Sequence, residues 1–136
     1  MKLVRQKLKY DCGVASLSMA TGIIYSKVKK YFHPHNFSKD GITNYAIDSF
    51  LHDHGFSISN ICKYRGFANA KIRKPWPPKP FADIHICQVL VSKLYPMAHF
   101  IVMLKDGSVY DPAFSKIRKI SDYYKVYNVT GIYKME

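Results

Sequence analysis

The sequence predicts an α+β fold in which N-terminal helices pack on an antiparallel β-sheet. Helical patterning dominates residues 11–54, and strand patterning fills most of residues 84–133. Helices first and strands afterwards is the order of an α+β protein. Between the two lies Pro75-Trp76-Pro77-Pro78-Lys79-Pro80, a run that cannot join a sheet interior. The turn Lys105-Asp106-Gly107-Ser108 joins two apolar runs and offers a glycine for positive φ, which marks an antiparallel hairpin.

The first helix is expected from Asp11 to Ile24. Asp11 suits the N-cap, which makes Cys12 the first helical residue. Val14, Leu17, Ser18 and the Ala15–Met19 pair recur at i, i+3, i+4, and Gly13, Ala15, Ser16, Ser18 and Ala20 allow close approach to a neighbour. This helix is expected to be the buried central one, ending near Gly22. A short basic amphipathic segment follows, Ser26 to Phe32, and His33-Pro34-His35-Asn36 breaks it. Thr43 caps a further helix that runs to His54, with Tyr45, Ala46, Phe50 and Leu51 facing inward and Gly55 closing it. Strands are expected at Phe56 to Tyr64, Ile84 to Val91, Ala98 to Leu104, Ser108 to Tyr110 and Val126 to Tyr133.

A chain of 136 residues makes one domain the default, 1–136, and 48% hydrophobic residues exclude a disordered chain. No stretch approaches the roughly 20 apolar residues of a membrane span. The opening Met1-Lys2-Leu3-Val4-Arg5-Gln6-Lys7 is charged at once, unlike a signal peptide, so a cytoplasmic protein is expected. Cys12, Cys62 and Cys87 are odd in number and form no CxxC, which argues against a disulfide framework and a structural zinc site. Cys62 and Cys87 read as core thiols. No metal or cofactor is expected: the His33/His35, His52/His54 and His85/Cys87 pairs have no evident further ligands.

Chemistry concentrates at Gln6-Lys7-Leu8-Lys9-Tyr10-Asp11-Cys12-Gly13-Val14-Ala15. A helix start presents unpaired N–H groups and the positive end of the macrodipole, and both favour a thiolate at Cys12. A cysteine nucleophile needs a base, a group that orients the base, and donors for an oxyanion. His99 begins the apolar strand Phe100-Ile101-Val102-Met103-Leu104, and Asp111 ends the next strand, stiffened by Pro112. The turn at Asp106-Gly107 brings residues near 99 and 111 roughly opposite each other. The Gln6 amide and the Cys12 backbone N–H supply two oxyanion donors.

Gln6, Asp11-Cys12-Gly13, Ala15 and Leu17-Ser18-Met19 resemble the Gln…Asp-Cys-Gly…Ala block of the C39-type peptidases, which are papain-like cysteine proteases. His99-Phe100-Ile101-Val102 is similar to that family's His strand, Asp111-Pro112 to its acidic member, and Gly41 to Gly55 more loosely to its middle helix. The likeness covers nearly the whole chain, with Val14 where family members often carry proline. It implies a papain-like fold, a peptide or protein substrate, and a thioester mechanism. Within that mechanism it implies roles for Cys12 as nucleophile, His99 as base, Asp111 as orienting acid and Gln6 in the oxyanion hole.

A second reading starts from charge. Lysines and arginines number 21 against 9 acidic residues, a net +12, which favours an acidic protein or nucleic acid as partner. Basic and aromatic residues interleave at Tyr25, Lys27, Lys29, Lys30 and Tyr31, at Lys63, Tyr64 and Arg65, and at Lys71, Arg73, Lys74 and Trp76. A non-catalytic basic binding module on a papain-like scaffold is therefore the alternative to a cysteine peptidase.

Overall fold

The computed structural model describes residues 1–62, 78–92 and 94–135. Among these residues the helices are α1 (Cys12–Thr21), α2 (Tyr25–Tyr31) and α3 (Asn44–Asp53). The strands are β1 (Phe56–Cys62), β2 (Ile84–Ser92), β3 (Tyr95–Leu104), β4 (Ser108–Tyr110), β5 (Arg118–Lys119) and β6 (Lys125–Lys134). A 3-10 turn, Ile120–Asp122, joins β5 to β6. The strands form one six-stranded sheet in the order β1-β6-β2-β3-β4-β5, and every adjacent pair is antiparallel. The expected α+β architecture is therefore present. None of the helices is long and apolar enough to cross a membrane. The basic and aromatic residues at 63–65 and 71–76, the proline-rich run up to Pro77 and the side chain of Cys62 lie outside the described residues.

Strand alternation divides the core between the two sheet faces. Ile86 of β2 with Phe100 and Val102 of β3 point to the helices and pack with Val14, Leu17, Phe50 and Leu51. Cys87, Val89, Ile101 and Met103 point the other way and pack with Val109, Ile120, Tyr123, Val126 and Val129. Cys87 is a fully buried thiol, as expected of a core cysteine.

α1 is buried on all sides from Gly13 to Ala20, and Gly22 ends it in the left-handed conformation. Its small residues make that possible. A Cβ at Gly13 would stand 2.8 Å from the Ile42 side chain and 3.4 Å from the Phe100 ring. In α3 the Thr43 hydroxyl accepts from the Ala46 N–H, the expected cap, and Gly55 follows with φ of 83°. Its inward stripe differs from the expected one: Ile47, Phe50 and Leu51 are buried, whereas Tyr45 is 81% exposed. Positions two apart on a helix are separated by about 200°, so Tyr45 falls opposite Ile47 once Ile47 faces the core.

The His85 ring holds the loop before β2. It is fully buried; Nε2 accepts from the Phe81 and Ala82 N–H groups at 3.1 and 3.0 Å, and Nδ1 donates to the Met103 carbonyl at 2.9 Å. Burial outweighs the Met103 bond and lowers its pKa, so the ring stays neutral and can accept at Nε2. His85→Leu strips two buried N–H groups of their acceptor. The expected cost is about 2–4 kcal/mol, read as a lower urea midpoint at unchanged slope.

Candidate active site

The helix start of α1 meets the sheet where the β3–β4 ladder runs out. That ladder pairs only Val102 with Tyr110 and Met103 with Val109. Beyond it the Phe100 N–H has no β4 partner and points to Cys12 Sγ at 3.5 Å, a contact between residues 88 positions apart. Cys12 is half-buried at the first turn of α1, where its own N–H has no intrahelical acceptor.

His99 and Asp111 meet as the sequence anticipates, with a shift of register. Continuing the Val102–Tyr110 pairing sets Asp111 opposite Ile101, so His99 lies on the diagonal of the same sheet face. The imidazole spans that diagonal, and Nε2 bonds Asp111 Oδ1 at 2.5 Å. With Nε2 taken, Nδ1 is the ring nitrogen left for Cys12. Burial pulls the His99 pKa down, but hydrogen bonds to Asp111 and then Cys12, with the charges of both, push it up to about 9.

The Asp111 carboxylate is fully buried and well supplied with donors. Besides His99, the Ala113 N–H donates to Oδ1 at 2.8 Å and the Tyr123 hydroxyl to Oδ2 at 2.6 Å. Burial alone would raise its pKa; His99, Tyr123 and Ala113 together hold it below the usual carboxylate value. Tyr123 follows the 3-10 turn in an irregular segment, and no sequence pattern ties it to Asp111.

Asp11 occupies the N-cap position but does not cap. Its side chain makes no bond to the α1 N–H groups and turns back instead. It accepts from the Lys7 and Leu8 N–H groups, both at 3.1 Å, and from the Tyr25 hydroxyl of α2. The carboxylate is fully buried, so these donors are its compensation for lost water. The result is a clasp that folds the 6–9 segment over the helix start. The Gln6 N–H then bonds the Pro112 carbonyl at 3.0 Å, fastening the same segment behind Asp111.

Gln6, Cys12 and His99 all line one cavity of about 590 Å³. The Gln6 amide is engaged there: Nε2 donates to the Leu8 and Lys9 carbonyls at 3.1 and 3.2 Å. Its Oε1 is buried without a partner among the described residues. Most of the cavity wall is apolar, from Tyr10, Ile42, Val91, Met97, Phe100 and Phe114, and Gln88 adds one more amide. No group of three or more His, Cys, Asp or Glu suited to a metal occurs among the described residues. No protein-family model matches the chain, and no curated protein matches it.

Two outcomes follow from this geometry. The His99 proton bound in the folded state contributes stability that is fully present below about pH 6.5 and is lost as pH rises through about 9. The melting temperature should therefore fall between those values, and fall less in Asp111→Asn, which removes the carboxylate whose hydrogen bond is the largest single cause raising the pKa. Within the clasp, Asp11→Ala orphans two N–H groups and is expected to cost about 3 kcal/mol, against about 1 kcal/mol for Tyr25→Phe. Urea unfolding of both variants and their combination should show a total less than additive, because the second change removes a bond already lost.

Proposed function

We propose that this chain is a cysteine peptidase of the papain-like kind, resembling the C39 peptidases, which cleaves a peptide or amide bond through a thioester. The single observation that carries the reading is the convergence of Cys12 and His99 on one cleft, with His99 bonded at 2.5 Å to the buried Asp111 behind it. In this mechanism Cys12 Sγ attacks the scissile carbonyl carbon and its proton resides on His99 Nδ1. The imidazolium then protonates the leaving amine, and the thioester forms as the C–N bond breaks. Water, deprotonated by the same imidazole, releases the acid and restores the thiol. Asp111 and Tyr123 hold the ring so that Nδ1 faces sulfur throughout.

The oxyanion falls to the Cys12 backbone N–H and to Gln6 Nε2. Both hydrogens of that amide already have acceptors, so the longer bond, to Lys9, gives way as charge develops on the substrate oxygen. An oxyanion is the stronger acceptor, which drives the exchange.

The alternative, a binding module for an acidic partner, rests on Lys27, Lys29 and Lys30, all exposed on α2. Tyr25 is not a free stacking platform there: its hydroxyl is tied to Asp11 and the Lys7 ammonium sits 4.7 Å above its ring. The two readings separate on variants. On the peptidase reading Cys12→Ala abolishes function, read as turnover of a peptide library, and charge reversal at the three lysines leaves it intact; on the binding-module reading Cys12→Ala leaves function intact and the charge reversal abolishes it. Intact-mass labelling with iodoacetamide supplies the direct check on the nucleophile. Cys12 should react far faster than the buried Cys87, and His99→Ala should slow the labelling of Cys12 while leaving that of Cys87 unchanged. A Cys12 rate no greater than that of Cys87, or one untouched by His99→Ala, would exclude an activated pair.

A further inference from the structure

A glutamine on the helix-facing side of β2 stands among apolar neighbours. Ile86 precedes it on the same face, and Phe100 lies opposite it in the β2–β3 ladder. A polar side chain in such a place costs stability unless it is bonded. Here the bonding is one-sided. Asn44 Nδ2, at the first residue of α3, donates to Gln88 Oε1 at 2.6 Å, and Asn128 Nδ2 of β6 donates to the same oxygen at 3.0 Å. Two amides from two different elements thus fix the Gln88 oxygen and with it the orientation of the whole side-chain amide. Its Nε2 carries two hydrogens with no acceptor among the described residues, and it is not one of the buried atoms without a partner. Gln88 lines the same cavity as Cys12 and His99.

We propose that Gln88 Nε2 binds the substrate main chain, donating to a backbone carbonyl of an extended peptide lying in this cavity. The inference rests on the peptidase reading of the site. Gln88 is well placed for such a contact, because Phe100, its cross-strand partner, follows His99 directly and reaches Cys12 Sγ through its N–H. The donor therefore lies one strand away from the reacting atoms, on the sheet side of the cleft. The chemical class follows from the rest of the wall. Among the described residues no carboxylate lines the cavity, Lys9 is the one lysine or arginine that does, and Ile42, Val91 and Phe114 are apolar. Gln88 serves as the polar anchor for a peptide segment whose side chains are uncharged and apolar.

The test uses the full chain and two reagents for Cys12, followed by intact mass: iodoacetamide, which has no peptide to anchor, and acetyl-Leu-Ala-Gly-chloromethyl ketone, which does. Rates are referred to those of free cysteine with each reagent. The wild type should favour the peptidyl reagent. Gln88→Ala should lower the peptidyl rate about 3- to 10-fold, the span of one net hydrogen bond, and leave the iodoacetamide rate unchanged. Gln88→Glu keeps an oxygen acceptor for Asn44 and Asn128, so the network survives, but turns the outward donor into an acceptor; it should show the same selective loss. An unchanged peptidyl rate in either variant overturns the inference and leaves the peptidase reading standing. Equal losses with both reagents also overturn it, assigning Gln88 a structural role. A wild type with no preference for the peptidyl reagent removes the peptidase reading and the inference together.

Discussion

A carboxylate sealed from water is tolerable only where donors replace its hydration, and the architecture around Asp111 is organised by that requirement. Its two oxygens receive the His99 ring, the Tyr123 hydroxyl and the Ala113 N–H. Those donors come from β3, from the segment before β6 and from the loop after β4, so one buried charge ties three parts of the chain. Taking out one partner of such a group leaves the others facing an unsatisfied charge. The same arrangement dictates the state of the imidazole. Burial by itself would favour a neutral ring, yet the adjacent carboxylate and the cysteine outweigh it and draw the proton onto His99.

Asp11 repeats the device at the other wall of the cleft. There the donors are two backbone N–H groups of the N-terminal segment and a tyrosine of α2. The first carboxylate orients an imidazole, and the second holds the strand of chain that carries Gln6 next to the helix start. The two walls are joined through the Gln6–Pro112 backbone bond. A thiol at the tip of α1 is thereby enclosed by segments that approach from opposite ends of the sequence. Gly13 permits the close seat of that helix tip against Ile42 and Phe100.

Among the described residues, positive charge has little part in the cleft. Lys27, Lys29 and Lys30 lie exposed on α2, whereas the cavity wall is predominantly apolar with Lys9 at one side. The thiol and the α2 lysines therefore lie on different surfaces. Salt screens exposed charges beyond about 8–10 Å at physiological ionic strength, so the α2 lysines shape the field of their own face rather than that of the cleft.

Much of the fold is legible in local pattern, because helix and strand periods are properties of short stretches. The α1 start at Cys12, the Thr43 cap, the glycine after α3 and the turn at Asp106-Gly107 all rest on residues within a few positions of one another. Tyr45 departs from its expected inward place because a helix face is set by the partner it packs on, not by which of its residues is aromatic. Asp11 departs from its expected capping role for a related reason. Its position is that of a cap, but the donors it meets come from Lys7, Leu8 and Tyr25, and their approach is a tertiary event. By itself, the sequence determined the order of the elements apart from the short β5 and its 3-10 turn, and the identity of the residues with thiol, imidazole and carboxylate groups, since these depend on spacing and side-chain type. Only the tertiary structure decided that His99 reaches Asp111 along a diagonal, that Tyr123 completes the carboxylate's partners, and that Asn44 and Asn128 turn Gln88 toward the cavity. Those contacts join pairs of residues 12 to 44 positions apart, and such separations close only when the sheet register and the buried charges are satisfied at the same time.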